Sequence, residues 1–477
     1  MFAGKSTFRL FVPWIALSLV EVSAQERPPS ADHLYQQFCA SCHGADLRGG
    51  MSSSLVNRQW RFGGEDTDLA EAIRAGLPDL GMPAFGDALS QDQIRALIIY
   101  IREGERKADQ EEAAGAEPDS DAVVTTEEAT FRLEKVAETE NILWAISFLP
   151  DASALVTERN GRLWRLMDDS LHGPIKGTPE VWRGSQGGLL DVAPHPDYEE
   201  NGWIYLSFSH STNGRTGMTK IVRGRIHGEA WVDEETIWNA PQDFHHSTQH
   251  HFGSRIVFRD GYVFFSIGDR GRQHLAQDLS RPNGKVMRLH DDGRIPEDNP
   301  FVSKQDALPE IWSYGHRNIQ GMAIHPETGG LWVTEHGARG GDEVNLIQPG
   351  ENYGWPEVTH GMNYDGTPIT SRTEAPGMRS PELHWTPSIA PCGITFYAGE
   401  RFQPWKNNLF VTSLVAQQLH RLVIENGEIV HEEIVLRDRG RIRDAATGPE
   451  GYLYLAIEGP DRRGQRSGII YRLRPAE

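Results

Sequence analysis

The chain changes its hydrophobic rhythm four times. Behind Lys5 and Arg9 runs an unbroken apolar stretch from Leu10 to Val20, closed by Val22-Ser23-Ala24. That order predicts a secretory signal peptide over residues 1–24, and the run is too short for a bilayer span of about twenty residues. Between Ser90 and Ile101 the apolar residues fall at 94, 97, 98 and 101, the spacing of an amphipathic helix with a serine N-cap. Asp32 to Phe38 predicts a shorter helix. From Glu103 to Glu128 neither rhythm persists: ten acidic and two basic residues mix with Ala, Gly, Pro and Ser, which predicts a solvated, self-repelling linker over 104–128.

Beyond residue 129 short apolar strands alternate with turn residues, and one unit recurs six times: a strand, a Pro/Asp/Gly turn, and a strand ending in polar residues. The copies begin at Ile146, Val192, Ile256, Met322, Ile394 and Ala445. Their spacing suits a four-stranded antiparallel blade with its loops, so the region 129–477 is expected to be an all-β six-bladed β-propeller. Closure is expected to pair Gly468–Leu473 with Thr130–Glu134. No later segment is long and apolar enough to span a membrane.

Composition narrows the function. The chain has 477 residues and a formal net charge of −20, which argues against nucleic acid or an anionic membrane as partner. Three cysteines exclude a disulfide scaffold. Two of them lie in Cys39-Ala-Ser-Cys42-His43, the attachment pattern of c-type haem, in which both thiols add to haem vinyl groups and the histidine binds iron. A zinc site would need further ligands, and residues 44–105 contain no Cys or His. A thioredoxin-like pair would need a βαβ context that is missing. Met82, in Gly81-Met82-Pro83, is the candidate sixth ligand, because Met51 lies only eight residues past His43. Residues 31–103 thus resemble a class I cytochrome c, a small all-α domain within the region 25–103.

In the propeller, His251 and Asp269 bracket the third hairpin, so the chain can bring them together as a base held by a carboxylate; a structural histidine fits the same pattern. Arg317, Arg441 and Arg443 precede the fourth and sixth copies. At equivalent blade positions they would converge on the channel mouth and suit a ligand with several carboxylates or phosphates, or else pair with acids on the blades.

Several stretches carry a family resemblance. They are Gln186-Gly-Gly-Leu-Leu-Asp-Val-Ala-Pro-His-Pro, His251-Phe-Gly-Ser-Arg, Gly268-Asp-Arg-Gly and Gly315-His-Arg-Asn-Ile-Gln-Gly, followed by Glu335-His-Gly-Ala-Arg-Gly-Gly-Asp-Glu-Val-Asn-Leu-Ile, Asn352-Tyr-Gly-Trp-Pro and Arg441-Ile-Arg-Asp. In order and spacing, residues 130–474 resemble the soluble glucose/sorbosone dehydrogenases, aldose dehydrogenases that use pyrroloquinoline quinone (PQQ). The resemblance implies that His251 takes the proton from the sugar's anomeric hydroxyl while hydride moves to the quinone, and that Asp269 orients it. It implies Gln186 in the sugar and quinone pocket, and Arg317, Asn318, Arg441 and Arg443 on the cofactor. It implies Ca²⁺ at the quinone on the carbonyls of Gly337 and Ala338, and a structural Ca²⁺ using Glu343 and the carbonyl of Tyr353. A family lysine on the fifth blade is absent: the matching stretch is Ser413-Leu414-Val415. Cys392 is expected to be a small buried hydrophobe.

The expected protein is a periplasmic quinohaemoprotein oxidising aldoses to lactones. Its haem would pass electrons to an external cytochrome or copper protein. A calcium-dependent propeller lactonase and a non-catalytic ligand-binding propeller are the alternatives.

Overall fold

The computed structural model describes residues 1, 28–113, 122–460 and 466–476. The export segment at 1–24 therefore lies, Met1 aside, outside the described residues. Among them, no helix is long and apolar enough to cross a membrane.

The N-terminal domain has four helices: α1 (Ala31–Phe38), α2 (Ala40–His43), α3 (Asp66–Ala75) and α4 (Gln91–Ala113). Ser30 caps α1 through His33 N at 3.3 Å. Ser90 and Gln93 exchange side-chain-to-backbone bonds at the start of α4, a reciprocal cap that fixes where the helix begins. Leu97, Ile98 and Ile101 of α4 pack with Leu34, Tyr35, Leu69 and Ile73 into one core.

Two features of α4 depart from the sequence expectation. The helix runs through residues 104–113, the first part of the stretch expected to be an unstructured linker. Its charges are paired rather than mutually repelling: Arg102 meets Glu105 at 3.1 Å, and Arg58 and Arg48 reach back to Asp109 and Glu111. The helix also buries a second face. Ala96 and Ile99 pack with Ala31 against Met362 of the propeller.

Six antiparallel sheets, spanning 143–172, 189–239, 256–314, 319–385, 391–437 and 441–475, form the blades of a six-bladed β-propeller. The first strand of each sheet contacts the first strand of the next, closing a ring. Each of the six sequence copies is the inner hairpin of one blade. Closure follows the expected pairing: Thr130–Thr139 lies beside Arg466–Pro475 with Leu133 opposite Leu473 and Thr139 opposite Gly468. This last sheet carries a fifth strand, Val124–Thr125, at its outer edge.

The inner strands are kept in register by hydroxyls at one repeating position. Thr157, Ser207 and Ser266 accept from the backbone N–H groups of Ala145, Asp191 and Arg255 at 3.0, 2.9 and 3.2 Å. Thr334 and Thr412 donate to the carbonyls of Cys392 and Gly393 at 2.9 Å each. Arg255 occupies the centre of the ring. It pairs with Asp191 at 3.2 Å and Asp444 at 3.0 Å, donates to Gln320 O at 2.6 Å, and lies over the Trp144 ring at 4.4 Å. Cys392 is fully buried beside it.

Candidate active site and haem site

His251 stands in an unusual backbone run. His251, Gly253 and Ser254 have φ of +56°, +66° and +100°, and two of the three are not glycine. The strain is held by Arg270, whose guanidinium stacks 3.6 Å from Phe252 and donates to His250 O at 2.7 Å. Gln186 Oε1 accepts from His251 N at 2.8 Å. Together these fix the imidazole against Asp269.

His251 Nδ1 lies 2.7 Å from Asp269 Oδ1. The carboxylate also accepts from Gly271 N at 2.7 Å and from Trp355 Nε1 at 2.9 Å. Burial would push Asp269 up, but the bond from His251 and the charge of Arg317 bring it below its ordinary value. As Asp269 is ionised, Nδ1 is the protonated nitrogen and Nε2 is left as an acceptor. Burial, followed by the positive charge of Arg317, lowers the His251 pKa to about 4.

Gln186 and Phe252, the neighbours of this pair, line a cavity of about 320 Å³ together with Asn318, His336, Arg441, Arg443, Arg159 and Arg466, while His251 and Asp269 are not part of its lining. Arg317 lies at its side and donates to His336 O at 3.0 Å. Asn318 Oδ1 accepts from Gly253 N at 3.1 Å. The sequence left two options for Arg441 and Arg443, and the structure combines them. Both line the cavity, and both share the buried Glu458, at 3.6 and 2.9 Å. Arg466 joins the same carboxylate at 3.0 Å. Glu458 and Arg159 carried no role in the sequence reading. They come together only when the first and last blades meet, which no local motif reports.

The cavity suits a polyanionic planar cofactor such as PQQ. Arg317 Nε, Arg441 Nε, Arg443 Nε and His336 Nε2 are buried donors or acceptors without a hydrogen-bond partner among the described residues. A ligand with several carboxylates would satisfy the three guanidinium donors, whereas His336 Nε2, the acceptor of a neutral ring whose other nitrogen donates to the Pro391 carbonyl, calls for a donor. Val415, in place of the family lysine, also lines the cavity.

The loop 337–342 has the chemistry of a hard-cation seat. No hydrogen bond among the described residues ends on the Gly337 carbonyl, and that of Ala338 accepts only the Ser388 hydroxyl at 3.0 Å. Asp342, buried and pushed up to about 6 by that burial, shapes the loop by accepting from Gly337 N at 2.9 Å and Ala390 N at 2.6 Å. Close by, Asn345 Nδ2 bridges Glu335 and Glu343 at 3.1 and 3.0 Å, while Asn345 Oδ1 is buried and unpartnered. Burial, then the neighbouring Glu335, pushes the Glu343 carboxyl above its ordinary value. Tyr353 stacks on His316 at 4.7 Å, and its hydroxyl donates to Leu346 O at 2.7 Å.

In the helical domain, Cys39 and Cys42 are both partly exposed. His43 Nδ1 donates to Ser53 O at 2.9 Å, which leaves Nε2 for iron. Met82 is partly buried against the domain core, as are Phe38, Trp60 and Phe85, whereas Met51 is 81% exposed. The residues present therefore fit a covalently held haem with His43 and Met82 as its ligands.

The chain belongs to the glucose/sorbosone dehydrogenase family, whose model matches residues 140–471, and residues 26–101 match the cbb3-type cytochrome c oxidase subunit III family. It is similar to the aldose sugar dehydrogenase YliI of Escherichia coli (strain K12), at 39% identity over 73% of this chain and 94% of that protein. The crystal structure of the soluble aldose sugar dehydrogenase from Escherichia coli in the apo-form superposes with a TM-score of 0.68, at 37% identity over 72% of this chain and all of that one. The PQQ-bound aldose sugar dehydrogenase from Streptomyces coelicolor gives 0.58, at 26% identity over 72% of this chain and 99% of that one. Membership of this family, with the cytochrome domain, implies PQQ with Ca²⁺ and haem c as cofactors.

Proposed function

We propose that the protein is an exported quinohaemoprotein that oxidises aldoses at C1 to lactones. When bound, PQQ would supply a two-electron acceptor for the hydride of C1, and the Gly337 and Ala338 carbonyls would hold the Ca²⁺ that makes it more electrophilic. His251 Nε2 takes the proton of the anomeric hydroxyl, and Asp269 holds the imidazole and stabilises the cation that forms. Arg317, Asn318, Arg441 and Arg443 bind the cofactor's carboxylates and oxygens. Gln186 holds the His251 backbone and lines the sugar side.

Converting an aldose to a lactone releases two electrons and two protons. Cys39 and Cys42 would hold the haem covalently and His43 and Met82 its iron, supplying one-electron chemistry, so two equivalents of an external one-electron acceptor, cytochrome or copper protein, would balance each sugar. Thioether ligation by Met82 favours the ferrous state and suits this carrier role.

The observation that supports this reading best is the His251–Asp269 pair, whose neighbours Gln186 and Phe252 line an arginine-rich cavity. The test is His251→Ala in protein loaded with PQQ, Ca²⁺ and haem. Sugar-driven haem reduction should disappear while dithionite still reduces the haem. Persistence of sugar-driven reduction would remove His251 from the role of base.

A further inference from the structure

Helix α4 reaches from the haem domain onto the loop that follows Gly337 and Ala338. Glu103 meets the Arg339 guanidinium through both carboxylate oxygens, at 2.9 Å each to Nε, with both side chains about one-fifth exposed. Ile99 lies against Gly340, where a side chain would meet its atoms at 3.1 to 3.4 Å and where φ is +79°. Arg339 and Met362 exchange backbone bonds at 2.9 Å, and the Met362 side chain is buried among Ala31, Ala96 and Ile99.

A second set of contacts converges on Ser388. Its hydroxyl donates to Ala338 O at 3.0 Å and accepts from Gly340 N at 2.9 Å. Its carbonyl accepts from Arg106 of α4. Two further bonds extend the seat, Arg95 to Thr370 O at 2.6 Å and Gln110 to Val415 O at 3.0 Å. The last ends on the residue that replaces the family lysine.

We propose that α4 is a structural part of the cofactor site, holding the loop 337–341 in its cation-binding shape so that haem-domain docking and cofactor loading reinforce each other. The inference rests on the reading that Gly337 and Ala338 hold Ca²⁺ beside PQQ. A pair as half-buried and bidentate as Glu103–Arg339 can carry such coupling, whereas an exposed pair would not. Coupling of this kind is reciprocal: whatever docking adds to cofactor affinity, the cofactor adds to docking.

The test uses the full-length, haem-loaded chain produced without PQQ, titrated with PQQ at fixed Ca²⁺. Glu103→Arg should weaken Ca²⁺-dependent PQQ binding about tenfold, and the charge swap Glu103→Arg with Arg339→Glu should restore most of it. In the unaltered protein, PQQ with Ca²⁺ should slow amide hydrogen exchange in α4 between residues 95 and 110. If Glu103→Arg does not fold, Arg106→Gln should weaken the same binding by a smaller factor. Unchanged PQQ affinity in these variants, or unchanged exchange in α4, would overturn the proposal. Neither readout needs sugar, so failure here is distinct from failure of sugar-driven haem reduction.

Discussion

A histidine that takes a proton at neutral pH has to be neutral there. His251 is kept so by burial, then by Arg317, against the opposing pull of Asp269. Because its pKa is lowered to about 4, the imidazole is a free base above that value and becomes a cation only below it. A histidine NMR titration of the PQQ-free protein should therefore show His251 still neutral at pH 5.5. A midpoint near the ordinary 6.5 would contradict the geometry. Asp269→Asn leaves the imidazole without its anionic partner and free to take the wrong tautomer. Steady-state kinetics with a dye acceptor should show kcat falling about 10²- to 10⁴-fold, with a smaller change in the KM for sugar. Glu458 acts on the other side of the cavity, as the buried counter-charge of Arg441, Arg443 and Arg466. In Glu458→Gln those guanidinia lose it, so the apoprotein should unfold about 3 kcal/mol more easily in denaturant. PQQ, as an anion, should recover more stability in this variant than in the unaltered chain.

At the scale of elements, the blades were readable because each inner hairpin repeats one pattern of apolar residues, turn residues and a polar strand end, and in five of the six that end carries a Ser or Thr where the sixth has Ala456. The structure gives that hydroxyl its reason: it satisfies backbone groups where the inner strand departs from regular pairing. The haem segment was readable because two thiols and a histidine must sit close in sequence to grip one ring. The continuation of α4 through 104–113 was not, because its partners Arg48, Arg58 and Arg339 are distant in sequence and a run of acids alone reads as repulsion. Nor was the second buried face of α4, since Ala96 and Ile99 become a face only against Met362. The long connection after Asp342–Ile347, which carries Tyr353, Trp355 and Met362, showed as the widest spacing between copies, Met322 to Ile394, and as the Asn352-Tyr-Gly-Trp-Pro stretch, but its seat for α4 at Met362 did not. Arg255 was likewise hidden, although it ties together inner strands from several blades. Arg255→Met strands Asp191 and Asp444 in the ring. It should cost about 3–5 kcal/mol, seen as a lower denaturant midpoint in tryptophan fluorescence.

At the scale of the molecule, α4 seats the haem domain on the propeller through Glu103–Arg339 and the Met362 contact, so that in the proposed function a two-electron site and a one-electron carrier belong to one body. Fixing both centres in one body removes the search that separate partners would need. Stoichiometry follows from the chemistry: one lactone formed should reduce two equivalents of a one-electron acceptor. The most direct test is stopped-flow observation of the haem in protein loaded with PQQ, Ca²⁺ and haem, mixed with excess aldose. The account predicts ferrous haem appearing with a first-order rate constant that is independent of protein concentration. Haem that stays ferric with every common aldose, or a rate that rises in proportion to protein concentration, would contradict it.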